Sequence, residues 1–388
     1  MKILLVSASS GSRGGGEFYF QALATGLVEL GNDVHIALSQ HDNMDEFAEA
    51  MPQVCPVLRW PIRNTYRRRL RTLSAVCDRK NQKELAACLE KFAPDIIHIN
   101  KQNLEDGLEL LYASNMTNIP VSATVHVTRS MKELKAAGGW LRDLVARNAF
   151  FQTQIPLIAT SPQCTHDLSE FLGSKNSPPV YNVTNGAFPS EGQREIFRSK
   201  WGVNQEAIVL GTVARIEHQK NPLFLCSVLS KLPENVHLVW VGDGSQRPQL
   251  ELEIAKYNLQ SRFHLDGWRN DARQRMSGFD VFVLPSFYEG FPFAILEAMS
   301  ASLPCVVSLV DGTKDAIRPG KTGFLLPVDD KHAWYDTLKL LVDDRMKRQI
   351  MGKNAQQSYL QEFSLKAMAE RTFAVYEDVI RRHAEKAR

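Results

Sequence analysis

No Asp-x-Asp pair occurs in the 388 residues, and no histidine and cysteine cluster has metal-ligand spacing. The acidic pair that often holds a divalent ion beside a phosphate is missing, so any chemistry is expected to run without a metal or other cofactor. The six cysteines (Cys55, Cys77, Cys88, Cys164, Cys226, Cys305) are scattered, without a Cys-x-x-Cys pair and mostly among apolar neighbours. That argues against a disulfide framework and suits a reducing, cytoplasmic compartment. No stretch approaches the ~18 apolar residues of a membrane span, so any membrane contact should be peripheral, at the inner face. The opening apolar run ends after four residues, Ile3-Leu-Leu-Val6, and reads as a first strand and not as a secretion signal. A net charge of +3 and the lack of interleaved aromatic and basic residues speak against nucleic-acid binding. The dinucleotide fingerprint is also absent, because Gly-x-Gly-x-x-Gly would need glycine where Arg13 stands. Hydride transfer is thereby disfavoured.

What is present is a chain long enough for two α/β domains, with short β-branched runs alternating with helical patterns. In the first half strands are predicted at 3–7, 34–38, 95–99, 121–126 and 155–160, with a helix over 17–30 stopped by Gly31. In the second half they are predicted at 208–213, 237–241, 263–265, 281–284, 306–308 and 323–326, so two parallel sheets are implied. The break falls in the Gly/Pro/Ser-rich piece 185–192. Domains are therefore expected at 1–187 and 188–364, followed by a terminal helical segment, 365–388.

Chemistry concentrates at strand ends. Directly after Val281-Phe-Val-Leu-Pro285 comes Glu289-Gly-Phe-Pro-Phe-Ala-Ile-Leu-Glu297, two carboxylates eight residues apart at a strand-to-helix turn. Pro292 suits a first helical turn, and Gly290 allows close backbone approach. The free N–H groups of such a turn attract anions and hydroxyl oxygens, while the two carboxylates accept hydrogen bonds from vicinal hydroxyls. A phosphorylated, polyhydroxylated ligand fits. A helix with one acid in its loop and another on its solvent face is the plain alternative. Earlier, Arg215 and Lys220 follow the strand 208–213, where two cations five apart can clamp a diphosphate. Gly14-Gly15-Gly16-Glu17 opens the first helix, and His126 closes the strand 121–126.

The pattern Ser286-x-x-Glu289-Gly-Phe-x-x-x-x-x-Glu297-Ala-Met resembles the E-x7-E signature of glycosyltransferase family 4, retaining enzymes that use nucleotide sugars and have the GT-B fold. The resemblance spans both halves, and its specific motifs lie between 212 and 326. It implies two Rossmann-like domains facing across a cleft, with the last helix crossing back onto the first. It implies that Arg215 and Lys220 clamp the diphosphate, Glu297 holds the ribose hydroxyls, and Glu289 with Gly290, Phe291, Pro292 and Phe293 holds the sugar. His126 would orient the sugar, and Gly15 and Gly16 would border the phosphate or sugar. Gly242, Gly244 and Trp268 would border the nucleoside, Trp268 either stacking on the base or packing. Three departures stand out: Ala214 before the arginine, Asn221 after the lysine, and Asp311-Gly-Thr-Lys-Asp315 where the family has Gly-Gly-x-x-Glu.

Charge is unevenly placed, because residues 59–80 carry eight Lys/Arg and one acid, +7 locally. Arg63, Arg67, Arg68, Arg69 and Arg71 are expected either to form a solvated face or to contact an anionic membrane. The resulting expectation is transfer of a hexose or N-acetylhexosamine from a nucleoside-diphosphate sugar, UDP-linked by preference, to a glycan or a polyprenyl- or other lipid-linked acceptor. Bacterial surface polysaccharide or glycolipid assembly would be the setting. A GT-B sugar-nucleotide epimerase and a catalytically dead nucleotide-sugar-binding scaffold are the other readings.

Overall fold

The structure, a computed structural model, describes residues 1–7, 15–63, 71–173, 176–386 and 388, with Pro52 and Arg71 described by backbone alone. The chain divides into two compact units, Met1–Gly186 with Leu365–Arg388, and Ala187–Ser364.

In the first unit, β1 (Lys2–Ser7), β2 (Asp33–Ser39), β3 (Val57–Trp60), β4 (Ile96–Asn103), β5 (Val121–Val127), β6 (Leu157–Ala159) and β7 (Val180–Asn182) form a parallel sheet in the order β3-β2-β1-β4-β5-β6-β7. Helices cover both faces, so central strands bury both sides and read as unbroken apolar runs; Ile3, Leu4, Leu5 and Val6 are all inaccessible. The edge strand β3 has no such run, since Arg59 interrupts Val57-Leu58 and Trp60, and sequence patterning gave no strand there. β4 runs four residues past its expected end at Ile99, through the buried polar residues Asn100 and Lys101. The helix Gly15–Glu29 packs on the C-terminal helix Leu365–Lys386. A Cβ on Gly26 would lie 2.8 Å from the Leu365 carbonyl oxygen and from Ala369 Cβ, so contact this close needs glycine. Tyr376 of the C-terminal helix reaches into the sheet, its hydroxyl 2.8 Å from His98 Nδ1, while His98 Nε2 lies 3.0 Å from Thr124 Oγ1. Tyr181 bonds Asp378 on the same helix.

In the second unit, β8 (Ile208–Val213), β9 (Val236–Val241), β10 (Phe263–Gly267), β11 (Val281–Leu284), β12 (Cys305–Ser308) and β13 (Gly323–Leu326) form a parallel sheet ordered β10-β9-β8-β11-β12-β13. All six match the predicted strands, with no end displaced by more than two residues. Two apolar clusters, one on each face, include Val209, Phe282 and Met299 on one side and Leu210, Trp240 and Trp334 on the other. Tyr359 donates to the Ala187 carbonyl at 2.8 Å, which ties the end of this unit to its beginning. Because every pairing is parallel, the carboxyl ends of all strands in a unit share one edge, where open α/β sheets bind ligands.

Candidate active site

Strands β8 and β11, neighbours in the second sheet, and the loops that follow them are bound to each other before any ligand is considered. Thr212 donates to the Val283 carbonyl at 2.6 Å, the Phe287 amide to the Gln219 carbonyl at 2.9 Å, and the Gln219 side chain to the Tyr288 carbonyl at 2.9 Å. This frame sets Lys220 Nζ 2.6 Å from Glu289 Oε1, which also accepts from Ser286 Oγ at 2.5 Å. Both partners are largely buried, the lysine side chain 15% and the glutamate 5% exposed. A paired, hydrogen-bonded charge is the form in which burial is tolerated. Arg215, five residues before Lys220, is exposed and forms no ion pair among the described residues. The sequence-predicted clamp is thus half engaged: one cation neutralises a neighbouring carboxylate, and the other faces solvent.

The departures from the family pattern have local explanations. Asn221 adopts φ +51°, a left-handed conformation that asparagine tolerates better than other side chains, so it can stand where glycine is common. The Ala214 carbonyl receives Trp240 Nε1 at 2.8 Å and lies against Gly242, where a Cβ would be 2.0 Å away and φ is +139°. Glycine is therefore required at 242 by both space and conformation. Asp311-Gly-Thr-Lys forms a short helix, Asp311–Lys314, and a Cβ on Gly312 would collide with the Gly290 carbonyl at 1.7 Å. The altered loop therefore still abuts the E-x7-E turn. A Cβ on Gly290 itself would meet no protein atom within 4 Å, so space is open beside it.

Pro292 does not enter the first helical turn as expected. It precedes the helix Phe293–Ser300 with φ −75° and ψ 112°, because the chain is still extended there. Proline has no N–H, so of Phe291, Pro292 and Phe293 only the two phenylalanines can donate a backbone hydrogen bond. Glu297 lies on that helix with its carboxyl among packed side chains. Burial raises its pKa to about 7, and the Arg273 guanidinium pulls the other way. The residue keeps partial access to solvent, and its carboxylate has no hydrogen-bond partner among the described residues. Gly242 and Gly244 follow β9, and the Gly242 amide donates to the Gly267 carbonyl at 2.8 Å. Trp268, the next residue, is 61% exposed. Arg215, Lys220, Gly242, Gly244, Trp268, Glu289, Gly290 and Glu297 thus all belong to the carboxyl edge of the second sheet. A cavity of about 520 Å³ between Arg194, Asp280 and Arg348 lies at the opposite, amino edge and includes none of them.

Gly15, Gly16 and His126 belong to the first unit. His126 Nε2 is 2.7 Å from Asn100 Oδ1, and its ring meets Tyr19 edge-on at 4.6 Å. The Asn100 amide nitrogen donates to the Gly16 carbonyl at 3.3 Å, which orients the amide and leaves only its oxygen for the histidine. His126 therefore donates from Nε2, and Nδ1 is an acceptor without a partner among the described residues. Burial lowers its pKa to about 4, so the ring is neutral at pH 7. Such a group can accept from a hydroxyl. Gly16 is buried against Gln102, while Gly15 begins the helix exposed. The remaining glycines of that loop, Gly11 and Gly14, lie outside the described residues, as do Arg67, Arg68 and Arg69. Arg63 pairs with Asp78 at 2.8 Å, and Arg71 begins the helix Arg71–Cys77. Sequence reasoning missed Asn100, because the strand end was set at Ile99, and missed Arg273, which no motif flags. Ser286 was visible in the motif, but its bond to Glu289 was not.

Two family models match the chain: glycosyl transferases group 1 over residues 193–358 and the glycosyl transferase 4-like domain over 14–182. The chain belongs to the GT-B glycosyltransferases of the family 4 type. Among curated proteins it is 27% identical over 331 residues, 80% of this chain and 82% of the relative, to an Escherichia coli UDP-Gal:alpha-D-GlcNAc-diphosphoundecaprenol alpha-1,3-galactosyltransferase. Among solved structures it is similar to Anabaena Alr3699/HepE in complex with UDP, with a TM-score of 0.79, 20% identity, and coverage of 97% of this chain and all of that one. The complex of the same protein with UDP-glucose gives a TM-score of 0.73 at 21% identity, with the same coverage.

Proposed function

We propose that the protein transfers a hexose or N-acetylhexosamine, with retention at the anomeric carbon and without a metal, from a UDP-sugar to a lipid-linked glycan acceptor. The setting is bacterial surface polysaccharide or glycolipid assembly. The observation that carries this reading is the half-buried Glu297 carboxylate, without a hydrogen-bond partner among the described residues, on the same sheet edge as the Lys220–Glu289 pair and the open Arg215. Two vicinal ribose hydroxyls would satisfy that carboxylate, and their hydrogen bonds favour its ionised form. Arg215 and Lys220 would meet the diphosphate. Because charge grows on this group as the glycosidic bond breaks, cations placed there stabilise the transition state more than the ground state. Glu289, held by Ser286 and Lys220, would accept from sugar hydroxyls, and His126 would accept another through Nδ1. None of these residues is assigned as a covalent nucleophile. A front-face route through an oxocarbenium-like state, with the acceptor on the face of the leaving group, accounts for retention.

The Escherichia coli relative's diphosphoundecaprenol-linked acceptor supports the acceptor class, and the Anabaena complexes with UDP and UDP-glucose support the donor class. The basic stretch from Arg63 through Arg71 would contact anionic headgroups. No described helix is long and apolar enough to cross a membrane. The decisive experiment is a thermal-shift screen of nucleotide sugars followed by product analysis. A ligand at 100-fold excess over Kd stabilises by about 2.7 kcal/mol. A UDP-sugar should raise Tm and be turned over with an α-linked product; an inverted product, or an epimerised free nucleotide sugar, overturns the reading.

A further inference from the structure

The start of β11 carries an acid surrounded by more positive charge than it can neutralise. Asp280, the residue before the strand, accepts from Arg194 Nη2 at 2.6 Å through one carboxylate oxygen. The other oxygen accepts from Arg198 and, at 2.7 Å, from the Val209 amide. Arg198 is fully buried and turns inward: its Nε donates to the Gly278 carbonyl at 3.1 Å and its Nη1 to the Ala207 carbonyl at 2.8 Å. A guanidinium so engaged is structural, and Asp280 is the counter-charge that lets it be buried. Arg194 shares that carboxylate, with its own side chain 35% exposed.

The cavity at this amino edge brings two further arginines to the same place. Arg345 and Arg348, from the helix Arg345–Ser358, line it together with Arg194 and Asp280. Arg348 is anchored through Nη1, which donates to the Leu341 and Val342 carbonyls at 2.5 and 2.9 Å. Neither it nor Arg345 forms an ion pair among the described residues. Burial pushes the Arg348 pKa down and Asp280 pulls it up, while Arg345 and Arg194 add to the push and Asp344 to the pull. Asp344 is engaged as the cap of its helix, accepting from the Lys347 amide at 2.8 Å, and Glu206, which also lines the cavity, is exposed. Positive charge therefore converges on this space with its nearest acid already shared between Arg194 and Arg198.

We propose that this cavity is a second ligand site, separate from the donor site, for a sugar phosphate: a phosphomonoester on a small polyhydroxylated body. Arg194, Arg345 and Arg348 would hold the phosphate, because a planar guanidinium matches two phosphate oxygens at once and the anion supplies the charge that Asp280 alone does not. The volume, about 520 Å³, is that of a small-molecule site and exceeds what a bare phosphate fills. Gln205, Ser302 and Gln349 also line it, and their amides and hydroxyl can both donate to and accept from sugar hydroxyls. A nucleotide fits less well. Phe279, the aromatic residue of the lining, is 1% exposed and stacked on Trp201, so it has no free face to offer a base. The cavity lies at the opposite edge of the sheet from Arg215 and Glu297, so its ligand is not the donor.

The test is calorimetric titration of the full chain, in the presence of UDP, with glucose 6-phosphate, glucose 1-phosphate, glucosamine 6-phosphate, inorganic phosphate and glucose. At least one of the sugar phosphates should bind roughly tenfold more tightly than inorganic phosphate, and glucose should not bind. Arg345→Gln with Arg348→Gln should weaken that binding by roughly tenfold or more, the loss of charged hydrogen bonds, while the UDP-induced Tm shift stays the same. Because Arg348 also holds two backbone carbonyls, Arg345→Glu is the second variant: that residue is exposed, and reversing its charge should abolish binding without moving the Tm of the free protein. Titration of Arg215→Ala should match the unaltered chain, which keeps the result independent of the donor reading. Failure of all three sugar phosphates to bind, unchanged affinity in Arg345→Glu, or a Kd that rises with UDP concentration or in Arg215→Ala overturns the proposal. So does equal affinity for inorganic phosphate and the sugar phosphates, which would leave an adventitious ion only.

Discussion

At the end of β5 the first unit presents a neutral imidazole whose proton is held by Asn100, whereas at the ends of β8 and β11 the second unit presents Arg215, Lys220, Glu289 and Glu297. The sheets are alike in being parallel and helix-covered, so the contrast comes from what each buries beside its strand ends. The first unit continues inward with hydroxyls and histidine: Tyr19, Thr124, His98 and Tyr376 are linked at 2.8 to 3.0 Å. Burial pushes the His98 pKa down to about 3, so no member of this chain carries charge near neutral pH. The second unit instead keeps ionisable groups at its strand ends, Arg215 exposed, Glu297 partly so, and Lys220 and Glu289 largely buried as a pair. One architecture can therefore recognise by hydrogen bonding alone or by charge, according to the residues at its strand ends.

The second unit should dominate the chemistry. Arg215→Ala and Lys220→Ala should each lower kcat by roughly 10²–10³, the effect of removing one preorganised group from a developing charge. Circular dichroism should remain native, and near-normal turnover in either variant would show that the two ends do not divide the work in this way. Lys220→Ala should be the more disruptive in the free protein as well, since it leaves Glu289 largely buried with Ser286 as its one remaining side-chain donor among the described residues.

Between the two carboxylates the expected effects differ in kind. Glu289→Ala should act mainly on kcat, while Glu297→Ala should weaken donor binding by about 1.5–3 kcal/mol, the value of hydrogen bonds to a charged group. Isothermal titration with a UDP-sugar checks this. Because hydroxyls bind the ionised carboxylate, affinity should fall as pH drops through about 7, and Glu297→Gln should lose that dependence. A flat wild-type profile across pH 6 to 8 would remove Glu297 from the ribose.

Stability offers a smaller and opposite pair of pH effects. Glu297 has a raised folded pKa, so the free protein binds its proton more tightly than the unfolded chain does; its contribution is favourable at low pH and is lost as pH rises through about 7. At pH 8 Glu297→Gln should therefore raise Tm. His98 has a lowered folded pKa, so the stability tied to keeping it neutral is present above about 6.5 and is lost as pH falls towards 3. Urea titrations from pH 8 to 4 should show the two opposing slopes, the acid-side loss belonging to the first unit.

Finally, activity should survive EDTA, since the proposed phosphate contacts are made by side-chain cations. An absolute requirement for magnesium or manganese would break the assignment of diphosphate charge to Arg215 and Lys220.

The strands of the second unit were legible because buried parallel strands need unbroken apolar runs, and 281–284 or 208–213 have few other uses. The positions of Arg215, Lys220, Glu289 and Glu297 were legible for a related reason: in a parallel sheet, residues just past successive strands must share an edge. What the linear pattern could not supply was pairing. That Lys220 turns to Glu289 while Arg215 stays open, that Asn100 sets the tautomer of His126, and that Arg273 comes beside Glu297 all depend on loops brought together by tertiary hydrogen bonds between distant residues. The sequence by itself determined two parallel α/β units and which residues gather at their carboxyl edges, because strand periodicity and parallel connection are local and repetitive constraints. Only the tertiary structure decided which of those groups are neutral, paired or open, because burial and charge depend on packing among segments far apart in the chain.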